Sequence, residues 1–167
     1  MPTISKVQSL GLPTGTVVQT KSMDVTTSSA SNAGTTFADT GLTIDITPKH
    51  STSKILVMAH VNMGATNGYR FACILKRGTT GISFATSAGS RTVSTVASQG
   101  TGGNKIDMST GMFHLDNPAT TNTTTYKVQA AAEQAGGTWY LNRGGLASDN
   151  STVYATTSSI TVMEIAQ

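Results

Sequence analysis

"SKILVMAHVNMGATNGYRFACILKRG", residues 53–78, decides the fold class. Ile55, Val57, Ala59, Val61 and Met63 fall on every second position, and so do Tyr69, Phe71, Cys73 and Leu75. A repeat of two is the spacing of a strand, whose successive side chains point to opposite faces. Between the runs stands Gly64-Ala65-Thr66-Asn67-Gly68. Its Asn-Gly pair supplies the positive φ of a tight turn, so the spacing predicts a hairpin. The same stretch carries a second signal. Ile55, Leu56, Val57 and Met58 are apolar on both faces of their strand, and residues 71–75 nearly so. A sandwich strand buries one face in the core, so its second apolar face needs a separate cover. A symmetric partner subunit would supply that cover, and so would a loop or short helix folded over the outside. The partner is the expectation here, with Leu56, Met58 and Ile74 as oligomer-interface residues.

The alternation continues outward from this stretch. Leu42, Ile44 and Ile46 alternate with Thr43, Asp45 and Thr47 and stop at Pro48. Further strands are expected at 16–26, 81–86, 111–116, 123–131, 138–142 and 158–165. Ala130 to Ala135 could form one helical turn before Gly136-Gly137, and helix signals are otherwise nearly absent. About nine short strands with Gly-, Asn- and Ser-rich connections predict an all-β chain, a β-sandwich of jelly-roll-like kind. Residues 1–14 read differently. Ile4, Val7 and Leu10 recur every three residues between Pro2 and Pro13, which suits a docking arm as well as a frayed terminus. The chain therefore divides into an arm, 1–14, and a knob domain, 15–167.

Composition sharpens this reading. A chain of 167 residues buries enough surface for one core without disulfides or metal. Charged residues are only 11%, whereas thirty threonines and eighteen serines give a neutral, hydroxyl-rich surface. In "LDNPATTNTTTYKVQ", residues 115–129, Thr123 and Thr125 alternate with Thr124, Tyr126 and Val128. One face is hydroxyl and the other packs; Thr favours extended backbone and stays soluble without charge. Basic residues are scattered and aromatics are 5%, so no nucleic-acid partner is expected. Cys73 is alone and reads as a small buried hydrophobe. No apolar h-region follows Lys6, and no apolar run is long enough to cross a bilayer, so neither a signal peptide nor membrane insertion is expected.

A reaction is not indicated. His50, His60, His114 and eight carboxylates are dispersed, with no metal-ligand spacing and no nucleophile elbow. "QGTGGNK", residues 99–105, lacks the phosphate-loop spacing, and Asp107, Asp116, Glu133 and Asp149 show no pairing that would serve glycoside hydrolysis. No catalytic residue, cofactor or metal is expected. A sugar site needs an aromatic platform beside polar planar groups, and Trp139, Tyr140, Asn142 and Arg143 supply those types next to loop 143–152. The other reading places Trp139 in the core.

An ordered series of motifs runs through the chain. Gly15-Thr16-Val17-Val18-Gln19 opens it, followed by Thr40-Gly41-Leu42, Ile46-Thr47-Pro48-Lys49 and Ser53-Lys54-Ile55-Leu56-Val57. Arg77-Gly78, Asp116-Asn117-Pro118-Ala119-Thr120, Thr125-Tyr126-Lys127-Val128-Gln129 and Tyr140-Leu141-Asn142-Arg143 come next. Ile160-Thr161-Val162-Met163-Glu164-Ile165-Ala166-Gln167 closes it. Over residues 15–167 the series resembles the β-rich C-terminal module of fibre-type virion proteins of tailed bacteriophages, frequent among marine and cyanobacterial phages. The resemblance implies a virion component on the outer particle surface, a β-sandwich knob and a homotrimer. Fibre proteins of this kind usually carry a long stalk, and only about fourteen residues precede the module here. A short tail or baseplate fibre, or a capsid decoration (cement) subunit docked by its arm, is then expected. The implied partners are copies of itself, other capsid or tail proteins and, in the alternative of a fibre tip, a host surface glycan bound through loops 99–107 and 143–152. No catalytic residue carries over.

Overall fold

The computed structural model describes residues 12–31, 33–66, 69–87, 89–98, 106–145 and 154–167. Among the described residues eleven strands form, where the alternation predicts them and in a few places where it is silent. They are β1 (Val17–Val25), β2 (Ser29–Ser31), β3 (Ala38–Ile46), β4 (Lys54–Ala65), β5 (Phe71–Arg77) and β6 (Thr80–Ile82), then β7 (Val96–Ala97), β8 (Ile106–Asp116), β9 (Thr124–Ala132), β10 (Trp139–Leu141) and β11 (Ser158–Ile165). All pair antiparallel, in two sheets.

In the first sheet the order is β1-β11-β4-β8, and β10 followed by β2 extends along the far part of the β4 edge that β11 occupies. The second sheet reads β3-β9-β5, with β6 and β7 sharing the outer edge of β5. Set aside the short β2, β7 and β10 and number the remaining eight strands in chain order. The sheets become 1-8-3-6 and 2-7-4-5, which is jelly-roll wiring. The expected all-β, jelly-roll-like sandwich is what the chain forms.

The expected hairpin of β4 and β5 does not form. β4 pairs with β8, β10 and β11, and β5 with β6, β7 and β9. The chain instead crosses from one sheet to the other, and the two apolar faces look at each other across the core. Cys73 Sγ lies 3.3 Å from Met63 Sδ, which a hairpin would have placed side by side in one sheet. Asn67-Gly68 itself lies outside the described residues. The alanine run is corrected too. Ala130, Ala131 and Ala132 continue β9 and pair with Cys73, Ala72 and Phe71. β6 stops at Ile82, short of 86, because Ser83 takes a left-handed φ of 55°.

The core is built from the alternating positions: Leu42, Ile46, Ile55, Val57, Phe71, Leu75, Tyr126, Val128 and Ile160 are all buried. Each such large side chain contributes about 1.5–3 kcal/mol. At one end of the sandwich an inward row across β11, β4 and β8 reads Glu164, Ile55, Asp116. Two buried carboxylates in a row need partners. Arg77 Nη1 donates to both Asp116 oxygens at 2.9 Å, and the Tyr126 hydroxyl donates to Oδ2 at 2.6 Å. These bonds tie β5 and β9 of the second sheet to β8 of the first. Glu164 accepts from Gln19 Nε2 at 2.6 Å and from the Lys49 and His50 amides at 2.8 and 3.1 Å. Burial alone would raise its pKa, but these donors together outweigh it and hold the carboxyl below its ordinary value. Burial first, and the neighbouring Asp116 second, push the Tyr126 hydroxyl well above its usual range.

At the other end the loop after β10 lies directly on β4. A Cβ on Gly64 would sit 2.8 Å from Gly144 Cα and 2.9 Å from the Arg143 carbonyl oxygen, so only glycine permits the approach.

Candidate association face

The strand registers fix what each sheet shows to solvent. On the outer face of the first sheet, Thr20, Met163, Leu56 and Leu115 form one row across β1, β11, β4 and β8. The next row is Ser22, Thr161, Met58 and Phe113, and the third is Asp24, Ser159, His60 and Gly111. Hydroxyls occupy the β1 side and apolar side chains the β8 side. Phe113 is 68% exposed and Leu115 49%, while Leu56, Met58 and Met163 are half-buried beside them. The Phe113 ring folds back over Gly111, which has no side chain to displace it. His60 is exposed at the patch margin, its Nε2 3.1 Å from Ser109 Oγ.

This apolar group lies against an edge. Among the described strands β8 pairs with β4 alone, so no described strand lies along the other side of this eleven-residue strand. Its described side chains from Met108 to Leu115 include no Lys and no Pro, the devices that usually protect an edge. An apolar face beside an open edge is suited to burial against another protein surface.

The expected interface residues do not share one surface. Leu56 and Met58 belong to this patch, but Ile74 projects from the outer face of the second sheet. There the Ile74 side chain and the Phe84 ring both lie over Gly81, so the segment after β6 covers it. For β5 the cover is the chain's own loop; for β4 and β8 the described chain supplies none. Ile4, Val7 and Leu10 lie outside the described residues.

The four residues considered for sugar contact also separate. Trp139 is 1% exposed and packs in the core, so its ring offers no stacking surface. Asn142 is buried at φ 62°, donating to the Val25 and Thr27 carbonyls and accepting from Ser158 Oγ at 2.6 Å, which makes it a joint between β1, β10 and β11. Tyr140 and Arg143 remain half-exposed, the guanidinium 4.2 Å above the phenol ring and the Tyr140 hydroxyl 3.1 Å from Thr66 Oγ1. The strand alternation that put Tyr140 outside forced Trp139 inside. Most of loops 99–107 and 143–152 lies outside the described residues.

Cys73 is fully buried, and burial pushes its thiol up to about 12, so it carries no thiolate at neutral pH. Among the described residues no three of His, Cys, Asp and Glu gather as metal ligands, and no helix is long and apolar enough to cross a membrane. No protein-family model and no curated protein matches the chain.

Proposed function

We propose that this chain is a structural subunit of the outer surface of a tailed-bacteriophage particle, a short tail or baseplate fibre or a capsid decoration protein. It assembles as a homotrimer through the outer face of the sheet β1-β11-β4-β8 and attaches to other virion proteins through residues 1–14. The observation that carries this reading is the apolar group Leu56, Met58, Phe113, Leu115 and Met163 on one outer face, beside the β8 edge that no described strand pairs. Covering such side chains contributes up to about 1.5–3 kcal/mol each when burial is complete, which opposes the entropy cost of association. The motif series supports the phage assignment and the number three. The role is mechanical: copies share an apolar face and leave hydroxyl-rich surface to solvent.

Two measurements test it. Light scattering of the purified chain at micromolar concentration should return the three-chain mass, and a monomer there would sink the association reading. Cryo-electron microscopy of purified particles should place the chain on the head or the tail; its absence from particles would overturn the virion assignment. The triple variant Ile4→Asp, Val7→Asp, Leu10→Asp should fold and trimerise but fail to enter particles.

A further inference from the structure

The opposite face of the molecule holds a cavity that association leaves open. Ala131 of β9, Ala72 of β5 and Ala97 of β7 stand in register on three neighbouring strands. Three alanines at one level leave a trough of about 210 Å³ in the outer surface of the second sheet. Phe37 and Thr35, from the segment leading into β3, wall one side, and Thr92 contributes a second hydroxyl. Arg70 and Glu133 stand at its rim, Arg70 Nη1 3.7 Å from Glu133 Oε2. Glu133 is held in place by its backbone and its side chain: Arg70 N–H donates to Oε1 at 3.0 Å, and Glu133 N–H donates to the Arg70 carbonyl at 3.0 Å.

We infer that this trough binds a single neutral sugar ring. Its floor is methyl groups and its wall an aromatic ring, which match the C–H face of a pyranose. The rim supplies a forked donor, a two-oxygen acceptor and hydroxyls, the set that vicinal sugar hydroxyls need, since each hydroxyl both donates and accepts. The two rim charges cancel. An anionic ligand would meet Glu133 and a cationic one Arg70, so neither is favoured. The volume is below the roughly 300–1,000 Å³ of sites for drug-sized ligands and suits one ring. The site differs from the Trp139 region, and it lies on the sheet opposite the association face.

The test is a titration of the ¹⁵N-labelled full chain with the methyl glycosides of glucose, galactose and mannose, with glucuronate and glucosamine as charged comparisons. Saturable shifts at the Ala72, Ala97, Ala131 and Glu133 amides, with a millimolar Kd for one neutral glycoside, are expected. Ala72→Leu fills the trough and should abolish them; Ala97→Leu, at an exposed position, does the same if the first variant fails to fold. Glu133→Gln should weaken binding about tenfold. The inference is overturned if no neutral glycoside saturates, if only a charged sugar binds, or if binding survives both leucine variants. Shifts produced by benzyl alcohol but by no glycoside would overturn it in favour of an apolar peptide side chain. Mass measurements decide the association face separately, so either reading can fail alone.

Discussion

The two outer faces of this sandwich differ in chemistry where β4 meets β8 on one sheet and β3 meets β9 on the other. On the second sheet Asp39 bridges Lys127 at 2.9 Å and Gln129 at 2.7 Å, and Thr125 bonds Asp45 on the neighbouring strand. Polar side chains thus stitch β3 to β9, and the apolar Ile74 of β5 lies with the Phe84 ring over Gly81. On the first sheet the pairs across β4 and β8 are Leu56 with Leu115 and Met58 with Phe113, and they face outward. Cross-strand neighbours stabilise a sheet in either case. Only the polar pairs do so without creating surface that water disfavours. The first sheet leaves an apolar group on its outer face, whereas β3 and β9 of the second leave a polar one.

Four perturbations put this contrast to the test. The largest concerns what keeps the faces back to back. Asp116→Ala leaves Arg77 and the Tyr126 hydroxyl without their shared acceptor and should destabilise the fold by about 3–5 kcal/mol, read from the denaturant midpoint. A loss below about 1 kcal/mol would show that this cluster does not tie the sheets together. Next, Phe113→Asp with Leu115→Asp should weaken association by about two orders of magnitude in sedimentation equilibrium without unfolding the domain. Thr43→Asp, exposed on the polar sheet opposite Lys127, should leave the mass unchanged, and an equal loss there would erase the distinction between the faces.

The third uses pH. Because Glu164 titrates below its ordinary value of 4.5 in the folded chain, it contributes stability that is present above that value. This contribution is lost as pH falls through the lower folded value. Thermal melts should therefore be flat from neutral pH to about 5 and drop below it. Glu164→Gln, costing about 1–3 kcal/mol at neutral pH, should shrink the acid drop. An unchanged acid limb would assign the drop to other carboxylates. The smallest effect is at Asp39, whose carboxyl Lys127 holds low from an exposed position. Asp39→Ala should cost less than about 1 kcal/mol, shrinking further in high salt.

Much of the fold was legible because burial alternates along nearly every strand. Thr124, Tyr126 and Val128 are buried and Thr125 and Lys127 are not, as "TTTYKVQ" requires. The excess of apolar side chains on the second face of β4 was legible too, since Leu56 and Met58 could not both join the core with Ile55 and Val57. The sites were less so. Trp139 is a suitable platform by residue type, and only its parity with Leu141, both buried, removes it from the surface. That parity could have been read from "TWYLN", where Tyr140 is the polar-tipped residue between two apolar ones. The alanine trough had no comparable signal. Ala72, Ala97 and Ala131 are unremarkable in sequence and meet only through strand pairing.

Read alone, the residues already gave the all-β class, which side chains alternate inward, and a strand with more apolar surface than one core can take. They could do so because side-chain direction in a strand depends only on the parity of neighbouring positions. Which strand lies beside which was settled by the tertiary structure alone. β4 and β5 adjoin in sequence yet stand in different sheets, and Ile74 parts from Leu56 and Met58 for that reason. Strand order depends on how two apolar faces close over one core, and that is a property of the whole chain rather than of any segment.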